Sequence, residues 1–254
     1  MIKFRYLISK RKKAMSENFR KKISGKGTYP RRIFSVMYYP VYFLLFLWLE
    51  THLPLHFLTV HLTADDWIPF CPPFVVFYLF WYVYNAAGYL LLFSEKNPMD
   101  FYRMSTMICL IMAVFLICSF AIPNGQDLRP NLPAEKNIFE RLLAAVWKAD
   151  PPRNLFPSIH VSNTLLLAIG IDRSAKRRKK PLLRILSGLL AVLIVASTML
   201  IKQHSVFDVA LAFACVAAGY PFFFGRHCAV TDRRIMRYDP AAKPYPAKKQ
   251  KNAV

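Results

Sequence analysis

The chain has 254 residues, 55% of them hydrophobic and 15% aromatic, with a formal net charge of +21. A soluble domain this basic would suggest nucleic acid, but long uncharged apolar runs separate the basic clusters, which argues against a nucleic-acid-binding surface. The five cysteines, odd in number and with no close pair at metal spacing, read as small core hydrophobes.

Twelve Lys and Arg precede Ile33. This leading segment is too long and too charged to be the leader of a cleaved signal peptide. Six apolar runs follow, Ile33 to Leu49, Phe74 to Phe93, Met104 to Ile122, Leu155 to Ile171, Leu182 to Ile201 and Val206 to Phe224. Each approaches the ~20 residues that span a hydrocarbon core as a helix. The first reads as an uncleaved signal anchor. His52, His56 and His61, followed by Asp65 and Asp66, show no clear ligand pattern and read as interfacial loop residues. The stretch "FYLFWYVY" in the second run reads as lipid-facing and interfacial packing. "EKNIFERLLAAVWKAD" places Ile138, Phe139, Leu142, Leu143, Val146 and Trp147 on one helical face, which predicts an interfacial helix covering a site below it.

The basic residues set the orientation. Besides the first twelve, seven lie in "RSAKRRKKPLLR", eight follow Phe224, and Lys96 and Arg103 flank "SEKNPMD". These segments fall on one side of the membrane, so the positive-inside bias predicts both termini in the cytoplasm. The expected fold is all-α. A basic N-terminal segment (residues 1–32) leads into a six-transmembrane-helix catalytic bundle (33–225) and a basic tail (226–254). The expected location is multi-pass in the plasma (inner) membrane.

Ionisable residues at membrane depth are costly and usually mark a functional site. His160 opens the fourth run, Lys202 and His204 lie at the junction of the fifth and sixth, and Asp208 is one turn into the sixth. All lie at one extracytoplasmic depth, within reach of Arg129. Helical spacing would stack Asp208 on His204, orienting the imidazole as a base or nucleophile. Pro157, Ser158 and His160 begin a helix whose N-terminus suits phosphate, and Arg129 offers a bidentate fork. Two histidines, a carboxylate, an arginine and a helix N-terminus describe phosphoryl transfer through a phosphohistidine. Lys202 is either a phosphate ligand or a cation snorkelling at a helix end, and Ser197 either a site residue or a packing serine.

"NLFPSIHVSN" and "STMLIKQHSVFDVAL" resemble the second and third motifs of the type-2 phosphatidic acid phosphatase superfamily, which includes the sphingolipid synthases. Pro157, Ser158 and His160 match the second motif; Ser197, His204 and Asp208 match the third at the right spacing; Arg129-Pro130 matches the end of the first. The resemblance implies that His204 attacks phosphorus, Asp208 orients it, His160 protonates the leaving group, and Arg129 and Ser158 hold the phosphate. Three positions depart from the motifs: Ile122 stands for a lysine, Ile159 for a glycine and Thr198 for an arginine. Lys202 is the obvious local substitute for the missing cations. "FPSIH" and "KQHSVFD" look closer to the inositol phosphorylceramide synthase-like branch. The expected protein is a lipid phosphate phosphatase or headgroup transferase, with a lipid phosphate as substrate and without metal or organic cofactor. The alternatives are a proton-coupled transporter and an inactive lipid-binding relative.

Overall fold

The computed structural model describes residues 31–52, 57–132, 137–225 and 228–243. Most of the basic leading segment, His56, Lys136 and the end of the tail lie outside these residues. The described residues are about 72% helical, and the described strands are two residues each. The elements are α1 (Tyr38–His52), β1 (Leu58–Thr59), α2 (Thr63–Asp66), α3 (Val75–Phe93), α4 (Met99–Ala121), β2 (Asn124–Gly125), α5 (Ile138–Ala149), α6 (Ile159–Arg177), α7 (Pro181–Leu200), α8 (Val206–Phe223) and α9 (Ala229–Tyr238).

Five helical runs are long and apolar enough to cross a membrane: Arg31–His52, Pro72–Phe93, Met99–Ala121, Pro181–Leu200 and Val206–Phe223. Their outer faces stay uncovered. Phe34, Leu44, Leu90, Ile117, Leu182 and Val192 each expose more than half of their surface. So extensive an apolar exterior suits hydrocarbon and not water. The chain is an integral membrane protein.

The fourth predicted run differs from expectation. Its helix, α6, starts at Ile159 and continues to Arg177, and it is not among the five apolar runs. Packed among α3, α4, α7 and α8, it buries Ser162, Asn163, Thr164 and Ser174 beside Val161, Leu166, Leu167 and Ile171. Shielding by its neighbours removes the lipid's demand for an apolar exterior and lets polar residues stay. The approach to α3 is close and reciprocal. A Cβ on Gly88 would lie 2.8 Å from Leu167, and one on Gly170 would lie 2.7 Å from Leu92, the small-residue contact that drives helix association in membranes.

α4 starts five residues before the predicted run because its first turn enters a buried ionic network. Asp100 accepts from Arg173 Nε at 3.0 Å and Arg103 Nη1 at 3.3 Å, and also from Arg177. Arg103 grips Asp232 through Nε at 2.9 Å and Nη2 at 2.7 Å. Asp232 belongs to α9, so Ala229–Tyr238 packs as part of the helical bundle. This helix packs on α4 and α8, and Tyr102 donates to Asp239 at 2.8 Å.

The opposite end of the bundle gathers the loops. Parallel β1 and β2 pair Leu58 with Asn124 and Thr59 with Gly125. The buried Asn124 Oδ1 accepts from Leu155 N at 2.7 Å and Phe156 N at 3.3 Å. Asn154 Nδ2 donates to Glu50 at 2.6 Å. These ties fix the segment that leads into α6.

Candidate active site

Two helix N-termini meet at the loop-bearing end. Ser158 caps α6: its Oγ accepts from Val161 N at 3.3 Å, and its own N–H donates to Asp208 O at 3.3 Å. Ser205 caps α8 through a capping box in which Asp208 Oδ2 accepts from Ser205 N at 2.9 Å. His204 precedes that cap. The backbone N–H groups of Gln203 and His204 both close on Thr198 O, at 2.9 and 3.0 Å, where α7 ends. The expected pairing of His204 and Asp208 is present, with Nδ1 3.3 Å from Oδ2. The capping box turns the carboxylate back to the imidazole, in place of the stacking along one helix that the spacing suggested.

His160 lies across from this pair, its Nδ1 3.4 Å from His204 Nε2. Its ring sits against Trp81 and Tyr78, with centroids 4.4 and 4.8 Å away. Trp81 Nε1 donates to His160 O at 3.1 Å. Tyr78 Oη is 2.9 Å from His160 Nε2 and donates to Asp150 Oδ2 at 2.8 Å. The aromatic stretch of α3 is therefore divided. Phe80, Tyr82 and Val83 face outward, as lipid packing requires, while Tyr78 and Trp81, three residues apart, hold His160.

Arg129 reaches this level but is held by protein groups. Its Nη1 donates to Trp147 O at 3.1 Å, and its Nη2 to Asp150 O at 2.6 Å and to Gln203 Oε1 at 2.7 Å. Burial pushes the guanidinium down to about 10, against the pull of Asp150, which leaves it charged at neutral pH. Lys202, for which the sequence left open a phosphate-ligand and a snorkelling reading, is held by backbone carbonyls. Its ammonium donates to Asp65 O and Ile68 O, each at 2.7 Å. Ser197 Oγ turns back onto Ile194 O at 2.6 Å, the geometry of a packing serine. Asp65, expected to be a loop residue, is buried: Oδ1 accepts from Val206 N at 2.7 Å and Oδ2 from Ser205 Oγ at 2.8 Å. It thus supports the cap beside His204.

α5 lies over this end as expected, burying Leu143 and half-burying Trp147. Asp150 follows directly after it. A cavity of about 590 Å³ runs from this polar end between α1, α3 and α4. His160, His204, Asp150, Asn154 and Asn163 line it together with the aromatic side chains of Tyr42, Phe46, Trp81 and Phe115. Buried Asn163 Oδ1, Asp208 Oδ1 and Arg129 Nε have no hydrogen-bond partner among the described residues. Among those residues no group of three or more His, Cys, Asp or Glu side chains is placed to hold a metal ion.

The sequence signalled His160, His204 and Asp208 through spacing and depth. Tyr78, Trp81, Asp150, Asn163 and Gln203 were missed. The three-residue spacing of Tyr78 and Trp81, and an aspartate ending an amphipathic helix, were the available signals. Fold and site together define a helical integral membrane protein with a histidine pair at the end of an apolar cavity. Comparison with protein-family models, curated proteins and solved structures finds no match.

Proposed function

We propose that this protein is a membrane enzyme that cleaves or transfers a phosphate ester of a lipid through a phosphohistidine. One observation carries the reading: His204, backed by Asp208, faces His160 across 3.4 Å at the polar end of an apolar cavity. In this reading His204 Nε2 attacks phosphorus while Asp208 holds Nδ1–H and balances the growing positive charge. His160 delivers a proton to the departing oxygen, and the phosphoryl group occupies the space that opens between the rings. The aromatic part of the cavity receives the acyl chain. Arg129, Ser158 and the N-terminus of α6 are the nearest electrostatic support for the phosphate. Hydrolysis and headgroup transfer share this step and differ in whether water or an alcohol resolves the intermediate.

The same reading counts α6 as a sixth span inside a shell of five. The Arg- and Lys-rich end then lies in the cytoplasm with both termini, and the site opens on the extracytoplasmic side of the plasma (inner) membrane. The test is phosphate release, or phosphoryl transfer to added alcohols, from a panel of lipid phosphates in detergent micelles, for wild type and His204→Ala. Activity that disappears in the variant is the expected result. A folded wild type inert towards every donor would overturn the reading in favour of a lipid-binding relative, and proton-coupled flux in vesicles would favour a transporter.

A further inference from the structure

The hydrogen-bond chain does not end at the two histidines, and the direction of its outer links constrains the inner one. The Tyr78 hydroxyl has a single hydrogen, which it donates to Asp150 Oδ2. Towards His160 it can only accept, so His160 Nε2 carries a hydrogen and Nδ1 is the nitrogen turned to His204. On the other side Asp208 accepts from His204 Nδ1–H, leaving Nε2 turned to His160. Two neutral rings fixed in this way would face lone pair to lone pair across 3.4 Å. A single proton shared between them relieves that contact, and the carboxylates of Asp150 and Asp208 flank the resulting imidazolium.

Resting on the function proposed above, we infer that Tyr78 and Asp150 are positioning residues for the acid–base half of the reaction. They fix the His160 tautomer and supply the counterion that keeps the shared proton on its Nδ1 when substrate enters. In the first step the P–N bond to His204 Nε2 forms and the P–O bond to the leaving group breaks. The electron pair leaves on that oxygen, which takes the proton from His160 Nδ1. His160 is then neutral, Nε2–H still bound to Tyr78, with a bare Nδ1 ready to accept a proton from the water or alcohol that resolves the intermediate. Three further features support the assignment. Tyr78 is buried, so its hydroxyl does not exchange partners with bulk water. Trp81 pins the His160 backbone. Arg129 and Gln203 both hold the Asp150 carbonyl, at 2.6 and 3.2 Å, which fixes the carboxylate's place.

The test uses the full chain in detergent and two esters with different leaving groups, a short-chain phosphatidic acid and p-nitrophenyl phosphate, read as single-turnover release of the alcohol. An aliphatic alkoxide needs a proton to leave and p-nitrophenolate does not. Tyr78→Phe keeps the ring and removes the hydroxyl. It is expected to slow release from phosphatidic acid on the order of 10- to 100-fold, while p-nitrophenol release stays within about threefold. Asp150→Asn should follow in the same direction, and His204→Ala should lose both reactions. Equal loss on the two esters would make Tyr78 merely structural, and no loss would remove it from the mechanism; either overturns the proposal. ¹⁵N NMR of histidine-labelled protein, with the His160 signal identified by His160→Gln, gives a reading independent of turnover. The expected wild-type signature is a hydrogen on Nε2, lost from its fixed position in Tyr78→Phe, and a bare Nε2 in wild type would overturn the proposal. If wild type released neither alcohol, the function above would fail while the tautomer would still decide whether the relay exists.

Discussion

Removing the Lys202 ammonium separates two roles that the sequence left open. Its two hydrogen bonds, each 2.7 Å long and to backbone carbonyls of Asp65 and Ile68, tie α2 and the residues just after it to the α7–α8 turn. Lys202→Met keeps the apolar stem and leaves both carbonyls without this donor. Hydrogen bonds from a charged donor contribute about 1.5–3 kcal/mol each. Relief from burying the ammonium offsets part of the sum, so a net loss of about 3 kcal/mol is expected. For a domain of this size that lowers the melting temperature by roughly 6–12 °C. Thermal unfolding in detergent, read by tryptophan fluorescence, measures the shift. Turnover on an active lipid phosphate, measured well below the transition and per folded molecule, should stay within a few-fold of wild type. An unchanged melting temperature with a rate loss near a hundredfold would refute this account, because the ammonium would then act on phosphate.

Asp208→Asn should cut turnover by about a hundredfold or more while preserving the α8 cap in part, since the amide oxygen can still accept from Ser205; kinetics paired with circular dichroism would check both halves. Arg129→Lys loses the fork that joins Trp147, Asp150 and Gln203, and should lower kcat by about tenfold, measurable on the same substrate. Hydrogen bonding to Asp66, then to Asp127, raises the His61 value above that of a free imidazole. A raised value means that this tie is fully present below the ordinary histidine range and is lost as pH rises through the raised one. Exchange protection of the Val60 amide, corrected for its intrinsic rate, should therefore fall across that window in wild type and not in His61→Asn. A single cysteine at the exposed Trp67 should react with an impermeant thiol reagent outside intact cells and one at Lys179 should not; the reverse pattern would put the site in the cytoplasm.

The apolar runs of α3, α4, α7 and α8 were legible because hydrocarbon imposes its demand on each outer helix separately. Length and composition in one window suffice for that, and the basic clusters between runs follow the same local logic. Ser205 and Asp208 lie three residues apart, and the capping box that joins them, turning Asp208 towards His204, is likewise a short-range feature. α6 lies at the limit. Its opening motif was readable, but its extension to Arg177 was not, because the charged last turn is stabilised by Asp100, more than 70 residues away.

What the sequence by itself determined is an apolar all-α membrane chain and a candidate triplet of ionisable residues, His160, His204 and Asp208. Tertiary structure alone decided their surroundings. Tyr78 meets His160 across 82 residues and Asp150 across 72, while Lys202 turns to carbonyls 137 and 134 residues distant. A side chain's type and spacing fix which bonds it can make, but which partner it finds depends on how the helices pack. In a water-poor interior each buried donor is pulled to whatever acceptor that packing brings within reach.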